Sequence, residues 1–378
     1  MDKQVTEKKS QLNVVFIGMA LFSMFFGAGN LIFPLLVGHS AGTEASYAIL
    51  GLAISAVVFP FLGLIAMLVC LGDLNVFLKS IGKLPAFVLL LVLQATQGPL
   101  GCMPRLITVM HANLKVYIPE LSLLLFSLLI SGFVFFLAFR PNKIVAILGV
   151  VLTPILLLTL AILICVGMVN APEPISVSGA SVDYFVEGFN GGYQTMDLIL
   201  ALLFSTVIIP LFFQGTSELS RQEAKRYVRK KMIIASVIAA SLLMITYIGL
   251  CLVASRYDVI GAPEELLSLI SFKVLGSSGG LLAIIAGFLA CLTTLISMSM
   301  VFSEYIRKNI CLEKISANTA LIMTLLLTSS VACLGFSGIM RLLSPVLEVL
   351  YPVLIVLCLY NMIKRPCRDG VYSELKDQ

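Results

Sequence analysis

FFGAGNLIFP, residues 25–34, lies inside an apolar run long enough to cross a membrane, yet it carries two glycines, an asparagine and a proline. In lipid an unbroken helix is the least costly backbone, because each unsatisfied polar group there costs several kcal/mol. Gly27 and Gly29 each weaken a helix by about 1 kcal/mol relative to alanine. Asn30 can offer its side chain to backbone groups, and the ring of Pro34 collides with the carbonyl of Asn30, four residues back. The pattern predicts a helix that opens over residues 27–30. The carbonyls of Ser23, Met24, Phe25 and Phe26 then lose their usual donors, and N–H groups from about Ala28 to Phe33 lose their acceptors. Loose carbonyls at the end of one half-helix suit a hard monovalent cation. Free N–H groups at the positive end of the next suit a carboxylate. The competing reading, that the glycines serve close helix packing, fits a lone glycine better than this cluster.

Composition sets the solvent. Of 378 residues, 59% are hydrophobic and 12% charged, with a mean hydropathy of +1.05, against roughly 45–50% and about 25% in soluble domains. The chain reads as an all-α polytopic membrane protein. Continuous rather than alternating apolar runs exclude a β-barrel. A hydrocarbon core needs about 20 apolar residues per helix. Apolar runs give ten candidates: 14–37, 47–70, 85–110, 121–139, 144–169, 195–213, 232–255, 279–304, 318–335 and 342–363. The first is too long for a removable signal peptide and lacks a small-residue cleavage site. The expected layout is an N-terminal tail over 1–13, one transport domain over 14–363 and a C-terminal tail over 364–378.

Basic residues orient the helices. With both termini cytoplasmic, 20 of the 25 lysines and arginines lie on the inner side, including the run RQEAKRYVRKK at 221–231. That run is most simply a topology signal; lipid binding is the alternative, and nucleic-acid binding is not expected. The nine cysteines include no CxxC pair and read as small core hydrophobes.

Ten helices divide into two sets of five, about 14–169 and 195–363. Five is odd, so the second set would be inserted upside down, as in secondary transporters with inverted repeats and midplane sites between interrupted helices. The sixth helix then matches the first. It contains Phe204, Ser205, Thr206 and Pro210, and the proline frees the carbonyl of Thr206. A functional break and an ordinary kink both fit. GFNGGYQTMD (188–197) reads as an outer entry to that helix. In CLTTLISMS (291–299), Thr293 and Thr294 lie four and three residues from Ser297, which sets the hydroxyls near one face. They could complete a cation site or bond back to their own helix.

FFGAGNLIFPLLVG (25–38), GPLGCMPRLITV (98–109), GGYQTMD (191–197), ACLTT (290–294) and SPVLEVLYPVL (344–354) together resemble the branched-chain amino acid carriers, the BrnQ-type family of cation-coupled symporters. The match spans nearly the whole chain, and the family is similar to LeuT-fold transporters. That resemblance implies sodium held by the carbonyls of Ser23 and Phe26 and the hydroxyls of Thr293 and Thr294. It implies a substrate carboxylate on the N–H groups of Ala28 and Gly29, beside Asn30. Phe204 and Ser205 would lie near the ammonium and side chain of the substrate. Related carriers have about twelve helices where this chain has ten. Glu348 stands in mid-helix where a neutral residue is expected, and an ionisable group at that depth is a functional candidate. It is read either as proton-linked or as the partner of Arg341 or Arg105.

The expected function is import of leucine, isoleucine and valine across a bacterial inner membrane, coupled to sodium or proton entry. A symporter for another neutral amino acid such as methionine is the alternative. A channel would call for a repeated filter or ring of charges, and the chain has neither HExxH nor GxSxG, so no enzyme is expected. The expected partners are an amino acid, the coupling ion and the bilayer. No organic cofactor is expected.

Overall fold

The computed structural model describes residues 14–15, 17–19, 21–115, 117–138, 141–213 and 220–364. The expected tails lie outside the described residues, apart from Lys364. Helix is the only regular structure among these residues. Six stretches are long and apolar enough to cross a membrane: Ala28–Val69, Lys83–Lys115, Ser181–Pro210, Gln222–Ala254, Gly279–Ile310 and Gly335–Lys364. Leu123–Ala138, Pro154–Val169 and Ala317–Ala332 are shorter apolar helices.

Helical turns over 21–25 stop at Phe26 and Gly27, and α1 (Ala28–Ala41) begins at once. The interruption falls where the glycines predict it but spans two residues rather than four. Gly27 is extended (φ −118°, ψ −164°), and its N–H donates 2.9 Å to Oδ1 of Asn30 instead of to the carbonyl of Ser23. Asn30 caps the new helix from inside, which lets it restart at Ala28, and Pro34 sits in its second turn.

Beyond α1, the chain turns through α2 (Ala45–Ala53) and α3 (Phe59–Val69), joined by a wide π-helical turn at Ile54–Val58 just before Pro60. Next come α4 (Lys83–Gln97) and α5 (Cys102–Lys115), separated by the tight Gly98–Gly101 turn. A Cβ at Gly101 would lie 2.1 Å from the Thr96 carbonyl, so only glycine lets the turn close. α6 (Leu123–Ala138) and α7 (Pro141–Val169) follow.

The second half opens with α8 (Ser181–Gln194) and α9 (Asp197–Phe213). This corrects the expected position of the sixth helix. The span starts near 181 rather than 195, and its interruption lies at Thr195 and Met196 rather than at 204–206. Met196 takes a left-handed φ of +63°. Phe204 and Ser205 lie in continuous helix, because the hydroxyls of Ser205 and Thr206 bond back to the carbonyls of Ala201 and Leu203 and the helix tolerates Pro210. α10 (Arg221–Ala254), α11 (Leu266–Tyr305), α12 (Ala317–Ala332) and α13 (Gly335–Lys364) complete the chain, with a non-helical kink in α11 at Gly276.

Helices of the two halves interleave. α1 packs on α10, α2 on α8, α3 on α9, α6 on α12, and α5 and α7 on α11. The α2–α8 crossing is made by small residues. A Cβ on Gly188 would sit 2.0 Å from the Ala48 carbonyl, and one on Gly51 2.1 Å from that of Phe185. Backbone contact of this kind is how helices associate where lipid competes equally well for apolar side chains. Outward faces carry Leu84, Phe136, Val349 and Ile363, as lipid-facing surfaces do.

Candidate functional site

The interruptions meet. Gly29, one residue into α1, abuts Thr195 so closely that a Cβ there would lie 3.1 Å from its Cα and 3.3 Å from its carbonyl oxygen. The third interruption, at 98–101, joins them from the α4–α5 side. The first two interruptions, and the residues that flank the third, border one cavity, lined by Phe25, Gly27, Ala28, Gly29 and Asn30, by Gln97, Cys102 and Arg105, by Thr195, Met196 and Leu200, and by Thr294 of α11.

Irregular backbone at this depth must find partners, and long polar side chains supply them. Arg105 donates from Nη2 to the Gln194 carbonyl (2.8 Å), at the C-terminal end of α8, where the helix dipole favours a cation. Gln97 donates from Nε2 to the Met196 carbonyl (2.8 Å). Gln194 in turn donates to Ser344 Oγ of α13 at 3.0 Å. On the α1 side, Asn30 donates from Nδ2 to Asp197 Oδ2 (2.7 Å) and to the hydroxyl of Tyr247, and Tyr247 donates to the same carboxylate oxygen at 3.0 Å. A single asparagine thus fastens the first interruption to the second and to α10. Asn30, Asp197 and Tyr247 are all at most 1% exposed.

The expected site residues separate into those at the cavity and those elsewhere. Ala28 and Gly29 line it, and their N–H groups find no acceptor among the described residues, because the N-cap residue is Gly27, which has no side chain to accept from them. Asn30 lines it too, but both ends of its amide are committed to protein groups. Thr294 stands across from Gly27, a Cβ on which would lie 3.9 Å from its Cγ2. The hydroxyls of Thr293 and Thr294 both bond back to the Ala290 carbonyl, which leaves each oxygen lone-pair capacity for a further ligand. Ser23 lies in the helical turns before the interruption and Phe26 within it, and neither is among the residues that line the cavity. Phe204 lines a neighbouring apolar cavity with Leu203, Met298 and Phe302, and Gln97 borders both cavities. Ser205 is fully buried and borders neither.

Glu348 lies on the exposed side of α13, outside the cavity, and forms no ion pair among the described residues. The expected pairing with Arg105 does not occur, since that guanidinium is 2% exposed and turned to Gln194. Sequence reasoning passed over Asp197, Tyr247 and Gln97, and named Arg105 only as a partner for Glu348. Arg105 and Asp197 carried a usable signal, as ionisable residues within apolar or membrane-depth segments.

Apolar helices of membrane length, interrupted where they meet around a cavity lined by both apolar and polar side chains, define the class: a multi-pass membrane transport protein. A family model described as "Branched-chain amino acid transport protein" matches residues 10–373, and the chain belongs to that family. A Staphylococcus epidermidis protein provisionally named as a branched-chain amino acid carrier is 31% identical over 93% of this chain and 82% of its own length. Similarly named proteins of Staphylococcus haemolyticus and Staphylococcus aureus are 29% and 28% identical over the same shares.

Proposed function

We propose that this protein is a secondary active symporter that imports leucine, isoleucine and valine across the bacterial cytoplasmic membrane together with sodium. Its ten membrane crossings would form two inverted five-helix repeats that rock around a fixed site. The observation that carries the reading is the meeting of two helix interruptions on one cavity, with the N–H groups of Ala28 and Gly29 at the positive end of α1. In this reading those groups bind the substrate carboxylate. The carbonyls of Ser23 and Phe26, with the hydroxyls of Thr293 and Thr294, ligate sodium. Phe25, Met196 and Leu200 give the cavity an apolar wall suited to a branched aliphatic chain. On the orientation set by the basic residues, the second cavity, at Phe204 and Phe302, lies on the cytoplasmic side and supplies an exit.

The deciding experiment is uptake of labelled leucine, isoleucine, valine and methionine into proteoliposomes under separately imposed sodium and proton gradients. Saturable uptake of the branched amino acids, driven by the sodium gradient, is expected. Uptake that follows only a proton gradient would move the coupling to a titrating group. Uptake indifferent to any gradient would remove symport altogether.

A further inference from the structure

Arg105 is the one group at the cavity whose charge has no counter-charge within ion-pair reach among the described residues. It is 2% exposed, and Nη2 is spent on the neutral carbonyl of Gln194. Nη1 is buried with no hydrogen-bond partner. The guanidinium lies 4.9 Å from the ring centroid of Phe33, one helical turn beyond Asn30, and 5.8 Å from that of Phe336. A buried cation held by one carbonyl and two aromatic faces is costly unless an anion joins it. The same cavity wall holds the uncapped N–H groups of Ala28 and Gly29, which want the same partner. Two donor sets of one polarity therefore border a single space. A planar carboxylate is the ligand whose two oxygens can serve both.

We propose that Arg105 binds the α-carboxylate of the transported amino acid through its free Nη1, opposite the N-terminus of α1. This rests on the amino-acid transport reading and adds a charged anchor to it. Nη2 meanwhile holds the end of α8, so the guanidinium ties substrate arrival to the second interruption. Substrate selection then has two parts: an obligatory anionic head at Arg105 and an apolar tail against Phe25, Met196 and Leu200.

The test is competition for leucine binding to purified protein by leucine and by leucinamide, which lacks the negative charge, in wild type, Arg105→Lys and Arg105→Gln. The wild type should prefer leucine strongly. Arg105→Gln should weaken leucine by roughly 10- to 100-fold, the value of a charge-assisted hydrogen bond, while leucinamide changes little, so that the preference collapses. Arg105→Lys keeps the charge without the fork and should fall between. An unchanged preference in Arg105→Gln, or equal loss of both ligands, overturns the assignment and leaves Arg105 as a brace for α8. A measurement on wild type alone guards against a misfolded variant. 4-Methylpentanoate, with the carboxylate only, should compete better than isoamylamine, with the ammonium only, and the reverse order overturns the proposal. Failure of wild type to bind leucine at all would refute the transport reading and this one together. A wild type that binds leucine but shows no preference for the carboxylate refutes only the role of Arg105.

Discussion

A side chain at Gly29 has nowhere to go, because its first carbon would already press on the Thr195 backbone at 3.1 Å. Gly29→Leu is therefore expected to abolish uptake while the protein still inserts, checked by transport beside a fluorescence size-exclusion profile. Thr294 faces the same interruption with a hydroxyl that retains acceptor capacity. Thr294→Ala should raise the sodium concentration for half-maximal uptake several-fold, and wild-type sodium dependence would take this residue out of the ion site. Glu348 is exposed on α13 and lines neither cavity. Glu348→Gln should keep the wild-type pH profile of uptake, and a flattened profile would restore it as a proton-linked group.

At the scale of elements, the break in the first span is held open by Asn30, whose amide caps Gly27 and reaches Asp197 and Tyr247. Asn30→Ala removes a cap worth about 1 kcal/mol and strips a buried carboxylate of one donor at a cost of about 1–3 kcal/mol. The midpoint of thermal unfolding in detergent should fall accordingly, with Asn30→Asp worse still because it sets two carboxylates together. The position of this break was legible from residues 27–34, since glycine, asparagine and proline act on their own backbone. Its length was not, because Asn30 restarts the helix earlier than a weakened ladder alone suggests. The second break lay beyond local reading. Pro210 advertises a kink that hydroxyl back-bonding absorbs, whereas Met196 adopts φ +63° without a glycine to signal it. Its carbonyls are met by Arg105 and Gln97, 89 residues before Gln194 and 99 before Met196.

For the whole molecule, the interleaved packing makes the α2–α8 crossing a seam between the two halves. Gly188→Val would drive a branched side chain into the Ala48 backbone, and overpacking of this kind costs about 1–3 kcal/mol or more. Loss of the monodisperse peak on size exclusion is the expected result. The sequence by itself determined that the chain lives in lipid, that it is helical, and that its first span is interrupted near Gly27. Each of these depends on composition or on residues within one turn of each other. Only the tertiary structure decided that three interruptions converge, that Asp197 and Tyr247 lock Asn30, and that Arg105 stands at the cavity with a donor to spare. Those facts depend on which distant helix supplies the partner for each freed backbone group, and no local pattern encodes that choice.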